Sequence, residues 1–223
     1  MRVLYVAAAC LLLFVSCGND RTEPPAETAP FVLPGTRNYL TDFPAQNPDG
    51  TVNVVVEIPA GTTAKWEVTK PDGRLAWERR DGQPRRVRYL GYPGNYGMVP
   101  RTLLPQELGG DGDPLDVIVL GPAAERGAVL KVRVVGVLRL LDRGEQDDKL
   151  LAVMTNSAFQ DVETLTELRQ TFPGVTEILE LWFANYKGPG KMVSQGYGEV
   201  DEARAILEAA VAAFAEQGIV NSE

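Results

Sequence analysis

The chain has no histidine among its 223 residues and only two cysteines. The first absence removes histidine general bases, Ser-His-Asp triads and almost every protein zinc site together, because each depends on an imidazole. Acid and base work is left to carboxylates, tyrosine, lysine or water on a hard metal ion. Both cysteines, Cys10 and Cys17, stand near the N-terminus, so the rest of the chain offers neither a disulfide nor thiol chemistry. No basic, aromatic-studded stretch is present, and the formal net charge of -8 has the wrong sign for a nucleic-acid backbone. Nucleic acid is therefore not expected as a partner.

A membrane-spanning run is missing as well. The apolar stretch Val3 to Val15, preceded by Arg2, is too short to cross a bilayer but fits the core of a secretory signal. It ends in Phe14-Val15-Ser16-Cys17, which resembles the bacterial lipoprotein box, with Phe14 where an aliphatic residue is usual. The resemblance implies that residues 1–16 are a signal peptide and that Cys17 is lipidated, anchoring an exported chain to a membrane. Gly18 follows the cysteine where some inner-membrane lipoproteins carry Asp, which points toward the outer membrane and periplasm. Residues 17–36, with Pro24, Pro25, Pro30 and Pro34, hold too little apolar surface to fold and read as a tether. Residues 37–223 are long enough for one domain with a substantial core.

Within that domain, β-rich runs come first. VNVVVEIP (Val52 to Pro59) and AKWEVTK (Ala64 to Lys70), joined through Ala60 to Thr63, read as a hairpin. Further strands are expected at Arg74 to Glu78, Arg86 to Leu90, Leu115 to Leu120, Val129 to Leu141 and Leu150 to Met154. Two helices follow. One runs from Val175 to Tyr186 with Ile178, Leu179, Trp182 and Phe183 on one face, and an alanine-rich one runs from Val200 to Gln217. Strands first and helices last predict an α+β domain, mainly β, with a small closed barrel and helices on its side.

The chemistry concentrates in a few places. GGDGDPLDVIVL sets Asp111, Asp113 and Asp116 at the mouth of an apolar strand. Three carboxylates that close repel one another unless a cation lies between them, and hard oxygen donors suit magnesium or manganese. Asp142, Asp147, Asp148 and Lys149 follow the long strand. Glu57 interrupts the apolar run VVVEIP, where a buried acid needs a partner. Lys65 and Glu67 share one face of their strand. Tyr92 and Tyr96 flank a Pro-Gly-Asn turn, and NYK supplies Tyr186 and Lys187. Taken singly, each group has a plain structural reading as a charge pair, a packed turn or a solvated loop.

Taken together, VVVEIP, AKWEV, YPGNYG, DGDPLDVIVL, the spacing from Asp142 to Lys149 and the closing NYK resemble the family I soluble inorganic pyrophosphatases. The resemblance spans Thr51 to Lys191 in the family's order. It implies a five-stranded OB-like closed barrel with flanking C-terminal helices. Its cavity would bind several Mg2+ ions, with Mn2+ able to replace them, and would hydrolyse pyrophosphate to two orthophosphates. By position, Asp111, Asp116, Asp142, Asp147 and Glu57 resemble metal ligands. Asp113 resembles the acceptor of the attacking water's proton. Lys65, Tyr96, Lys149, Tyr186 and Lys187 resemble phosphate-binding residues, and Glu67 and Tyr92 supporting ones.

Two departures stand out. Arg143 occupies a position where the family commonly has a second acid after that of Asp142. The segment between Glu67 and Tyr92 is long and rich in arginine, and WER makes Arg79 the expected phosphate-binding arginine, with Arg88 as rival. The same apparatus would also serve a polyphosphate-type phosphohydrolase, or survive on a non-catalytic metal-binding lipoprotein. Monomer, trimer and hexamer all stay open.

Overall fold

A computed structural model of the protein describes residues 31–70, 72–104 and 112–220. Cys17, Asp111 and the signal segment lie outside the described residues. The elements run β1 (Val52–Ile58), β2 (Trp66–Val68), β3 (Leu75–Trp77), β4 (Arg79–Arg80), β5 (Gln83–Pro84), β6 (Asn95–Met98), β7 (Asp116–Leu120), β8 (Val129–Asp142), β9 (Glu145–Gln146) and β10 (Lys149–Met154). After these come α1 (Leu165–Thr171), α2 (Val175–Asn185), β11 (Met192–Gly198) and α3 (Val200–Val220).

Five of the strands close on themselves. β1 pairs antiparallel with both β6 and β8, β6 with β7, and β10 with β8, while β7 and β10 run parallel. The fold is thus mainly β, a ring of five strands with helices toward the C-terminus. The hydrophobic pattern explains the layering. Along β7, Ile118 and Leu120 face one core, as do Leu151 and Val153 of β10, and α1 and α2 cover it with Leu165, Leu168, Leu179, Trp182 and Phe183. Val117, Val119, Leu150 and Ala152, one residue out of phase, face a second core that Ala203, Leu207 and Ala210 of α3 complete. Every residue of β1 and of β10 is buried, as strands covered on both faces require. Among the described residues no helix is long and apolar enough to cross a membrane.

Several expectations need correction. β1 and β2 do not form a hairpin: β2 pairs with β3, matching Trp66 to Trp77, across a turn at Asp72 and Gly73. β1 is fully buried and takes two long neighbours instead. No strand forms over Arg86 to Leu90, where only Val87 is buried and a single bridge joins Arg86 to Ala64. Ile178 is 60 % exposed, and the buried stripe of α2 is Thr176, Leu179, Trp182 and Phe183. Strands and helices are also not cleanly separated in order, because β11 stands between α2 and α3 and pairs with β8. Part of the stretch read as tether packs on the domain: Val32 bridges Ala76, and Trp77 N–H donates to the Phe31 carbonyl at 2.8 Å.

Candidate active site

The parallel pairing of β7 and β10 builds the site. Because Leu150 is in register with Val117, the residues just before them, Lys149 and Asp116, emerge side by side at the same end of the ring. Lys149 Nζ lies 2.6 Å from Asp116 Oδ2 and 2.5 Å from Asp147 Oδ1. These groups line a cavity of about 430 Å³ together with Glu57 from β1, Lys65 and Glu67 around β2, and Asp113 from the loop before β7. Lys70 Nζ reaches Asp113 Oδ1 at 2.6 Å across the mouth. Asp148 is spent on structure, accepting from Leu140 N–H and from the Gln146 amide.

A second ammonium stands beyond Asp147, on the border of the cavity. Lys187, following α2, lies 2.7 Å from Asp142 Oδ2 and 3.7 Å from Asp147 Oδ2. The other oxygen of Asp142, Oδ1, is buried with no hydrogen-bond partner. Next to this border stands an aromatic group: Tyr186 stacks on Trp182 at 4.7 Å, and Tyr92 packs against Tyr96 at 5.3 Å and Trp182 at 4.5 Å. Trp182 is itself held by donating from its indole N–H to the Leu90 carbonyl.

Electrostatics divide the groups sharply. Burial raises the Glu57 carboxyl to about 8, although Lys65 pulls the other way and Val68 N–H donates to it at 2.7 Å. Burial would likewise raise Asp116, but Lys149 and Lys65 overcome it and hold the carboxyl below its usual range. Lys149 is only 3 % exposed by side chain, and burial alone would depress its ammonium; Asp116 and Asp147 reverse the effect and raise it. Burial lifts the phenols of Tyr92, Tyr96 and Tyr186, which keeps all three protonated as donors near neutral pH.

On the other side of Lys187 the surface changes sign. A groove of about 940 Å³ is lined by Arg85, Arg86, Arg88 and Arg80, by Arg143 and Lys191, and by Tyr186 and Lys187, with Asp81 as its one acid among the described residues. Arg85 is half-buried and bound twice to Glu78, at 2.6 and 2.7 Å. Arg79 does not belong here. It is exposed, donates to the Gly82 carbonyl at 2.6 Å and rests over the Phe31 ring. The hairpin β4–β5 turns it outward and carries Arg85 and Arg88 to the groove instead. The arginine-rich insertion was visible in the sequence, but which arginine faces inward depends on that hairpin. Lys70, which lines the cavity beside Asp113, was not singled out in the sequence because it reaches the site from the loop after β2. Arg126 supports β1 from behind, donating to the Glu57 carbonyl at 3.1 Å and resting over the Trp66 ring. The remaining expected residues, Glu57, Lys65, Glu67, Tyr92, Tyr96, Asp113, Asp116, Asp142, Asp147, Lys149, Tyr186 and Lys187, are gathered in and around the cavity.

The sequence model of inorganic pyrophosphatase matches residues 54–215. The chain belongs to the inorganic pyrophosphatase family. It is accordingly a phosphoanhydride hydrolase, an inorganic diphosphatase. Among similar proteins, the inorganic pyrophosphatase of Ralstonia nicotianae is 34% identical over 176 residues, covering 77% of this chain and 95% of that one. Inorganic pyrophosphatase 2 of Pseudomonas syringae pv. tomato is 37% identical over 184 residues, covering 78% and 94%. The solved structure of the Helicobacter pylori inorganic pyrophosphatase superposes with a TM-score of 0.66 at 29% identity, covering 78% of this chain and 98% of that one. The matched segment starts in β1 and ends in α3, so it takes in the ring, both helical layers and every expected cavity residue from Glu57 to Lys187.

Proposed function

We propose that this diphosphatase hydrolyses pyrophosphate with magnesium, on an OB-like barrel formed by residues 37–223, and works outside the cytoplasm as a lipoprotein anchored through Cys17. The observation that carries the catalytic reading is the meeting of an acidic cavity and a cationic wall at Lys187 and Asp147. One side can hold cations and the other an anion.

The donor set fits a hard cation. It consists of oxygens only, and Asp142 Oδ1 is a buried acceptor left without a partner. Among the described residues no three acids converge tightly enough to hold an ion alone, since Lys149 and Lys187 stand between them. Asp116, Asp147, Asp142 and Glu57, joined by Asp111, would hold the ions, and Mn2+ would suit the same oxygens. Magnesium would supply charge neutralisation for pyrophosphate and a more acidic water near neutral pH. Asp113, paired with Lys70 at the cavity mouth, would accept a proton from the attacking water. Lys65, Lys149, Lys187, Tyr96 and Tyr186 donate to phosphoryl oxygens, where developing charge is greatest. Arg85 replaces Arg79 as the arginine facing the leaving phosphate, with Arg88 beside it. Glu67 and Tyr92 position Lys65 and Tyr96.

Phosphate release from pyrophosphate tests this directly. Asp113→Ala is expected to lower kcat by about 100-fold or more with an unchanged melting temperature, the usual weight of a general base. Full turnover by that variant would remove Asp113 from the mechanism, and no release by the wild type would favour the non-catalytic reading. Arg85→Ala should raise KM while Arg79→Ala leaves it alone. The anchor is read by palmitate labelling, lost in Cys17→Ser; labelling that survives the substitution rules it out.

A further inference from the structure

The segment that leads into the domain encloses a cavity of its own, about 270 Å³ in volume. Its wall is the stretch from Leu33 to Arg37 with Tyr39, and its floor is Arg74 and Leu75 of the β2–β3 hairpin. None of these residues lines the active cavity. The chain makes the space by being pinned at two points: Leu33 N–H donates to the Leu75 carbonyl at 2.8 Å, and Tyr39 N–H to the Gly73 carbonyl at 2.7 Å. Six residues of the entering segment are thus fastened across two of the hairpin, and the surplus loops out over Arg74.

Charge inside is of one sign. Arg37 and Arg74 both line the cavity, and among the described residues no acid lines it and neither arginine has an ion-pair partner. The acids close by in sequence are engaged: Asp42 accepts from Asn38 N–H at 2.9 Å, and Asp72 from the Thr69 hydroxyl and from Arg74 N–H. Arg37 is exposed and rests over the Phe43 ring, which occupies its face and leaves its N–H edge open. Arg74 Nε is the telling atom, because it is buried and has no hydrogen-bond partner. A charged donor shut away from water is costly until an acceptor reaches it, and an anionic oxygen is the strongest acceptor for a guanidinium.

We propose that this cavity is a second anion site, apart from the active centre, which takes one phosphoryl group against Arg74, Arg37 and the Thr36 hydroxyl. The planar fork of an arginine fits phosphoryl oxygens, and two such forks with a hydroxyl suit a single tetrahedral anion. Orthophosphate, the product of the family's reaction, and the phosphate of a phospholipid headgroup share that chemistry. The occupant supplies the acceptor that Nε lacks. It also fastens the entering segment to the hairpin that presents Glu67 and Lys70 to the active cavity.

Hydrogen exchange on the full chain in metal-free buffer reads the site locally. Saturating orthophosphate should slow exchange of the amides from Gly35 to Tyr39 at least about 10-fold, since a ligand stabilises the closed form that holds it. In Arg74→Gln the slowing should vanish, while the melting temperature without phosphate holds or rises because the orphaned charge is gone. Arg37→Gln, at an exposed position, should weaken the protection several-fold with the fold untouched, and kcat for pyrophosphate should hold in both variants. Flotation on phosphatidylcholine vesicles with and without phosphatidic acid separates the two sources. Flotation that needs phosphatidic acid and is lost in Arg74→Gln assigns a headgroup; protection by orthophosphate without it assigns the free ion. Protection kept in Arg74→Gln overturns the site, as does a segment indifferent to orthophosphate on a protein whose flotation is indifferent to Arg74. Loss of kcat in either variant would overturn its separation from the active centre.

Discussion

Lys149 is the residue on which the cavity turns. Its ammonium is almost fully buried between Asp116 and Asp147, so the protein itself supplies a cation where the carboxylates would otherwise repel. Lys149→Met is expected to lower stability by about 3 kcal/mol in chelator, as breaking one partner of a buried ion pair does. Added magnesium should restore part of it by entering between the two acids; urea denaturation with and without the ion reads both effects. Glu57 gives a pH signature of opposite sense. Its folded value of about 8 lies above the ordinary 4.5, so between the two the folded state holds a proton that the unfolded state has lost. Stability therefore falls as pH rises through that interval and levels off above about 8. In chelator, Glu57→Gln should melt progressively higher than the wild type from pH 5 to 8, and a difference independent of pH would contradict the buried-acid account. These residues stood out in the sequence only jointly, through motifs in one order, since singly each had a plain structural reading as a charge pair, a packed turn or a solvated loop. Arg79 faces away from the groove, toward Gly82 and Phe31, and a one-dimensional motif does not say which way a hairpin turns.

At the scale of elements, β6 is the strand that the sequence hides. Asn95-Tyr96-Gly97-Met98 has neither an apolar run nor strict alternation, yet it is wholly buried and joins β1 to β7. Gly97 makes this feasible, since a Cβ there would stand 1.8 Å from the Val55 carbonyl oxygen. Gly97→Ala should cost at least about 3 kcal/mol, because backbone and not a flexible side chain blocks the methyl. A melting temperature close to the wild type would mean that β1 and β6 can separate without loss. β7, β8 and β10 announced themselves through continuous apolar runs, whereas β11, MVSQGYG, and the short helix α1 did not. For α1 a usable cue was present: Thr164 caps the helix by accepting from Glu167 N–H, and Glu167 accepts in return from Glu163 N–H. The β1–β2 hairpin was misread because local turn chemistry cannot reveal that a fully buried strand will recruit distant partners.

For the molecule as a whole, charge is segregated: a net -8 chain, an acidic cavity and a cationic groove that meet at the Lys187–Asp147 pair. Attraction of a polyanion to that groove acts through the field and weakens with salt, as the Debye length shrinks from about 10 Å at 0.1 M to about 3 Å at 1 M. KM for pyrophosphate should rise steadily over that range at constant free magnesium, with kcat changing little, and a flat KM would mean that contact hydrogen bonds alone hold the substrate. The closed ring has a different sort of consequence. It is sealed by Val52–Val55 of β1 lying against Val129–Val132 of β8, strands separated by most of the site. Such a long loop must close before any of its contacts repay the lost chain entropy, which makes folding slow and late. The first half of the ring thus stays open until β8 and β10 have both arrived, so Asp116 meets Lys149 only once the last of the five strands is in place.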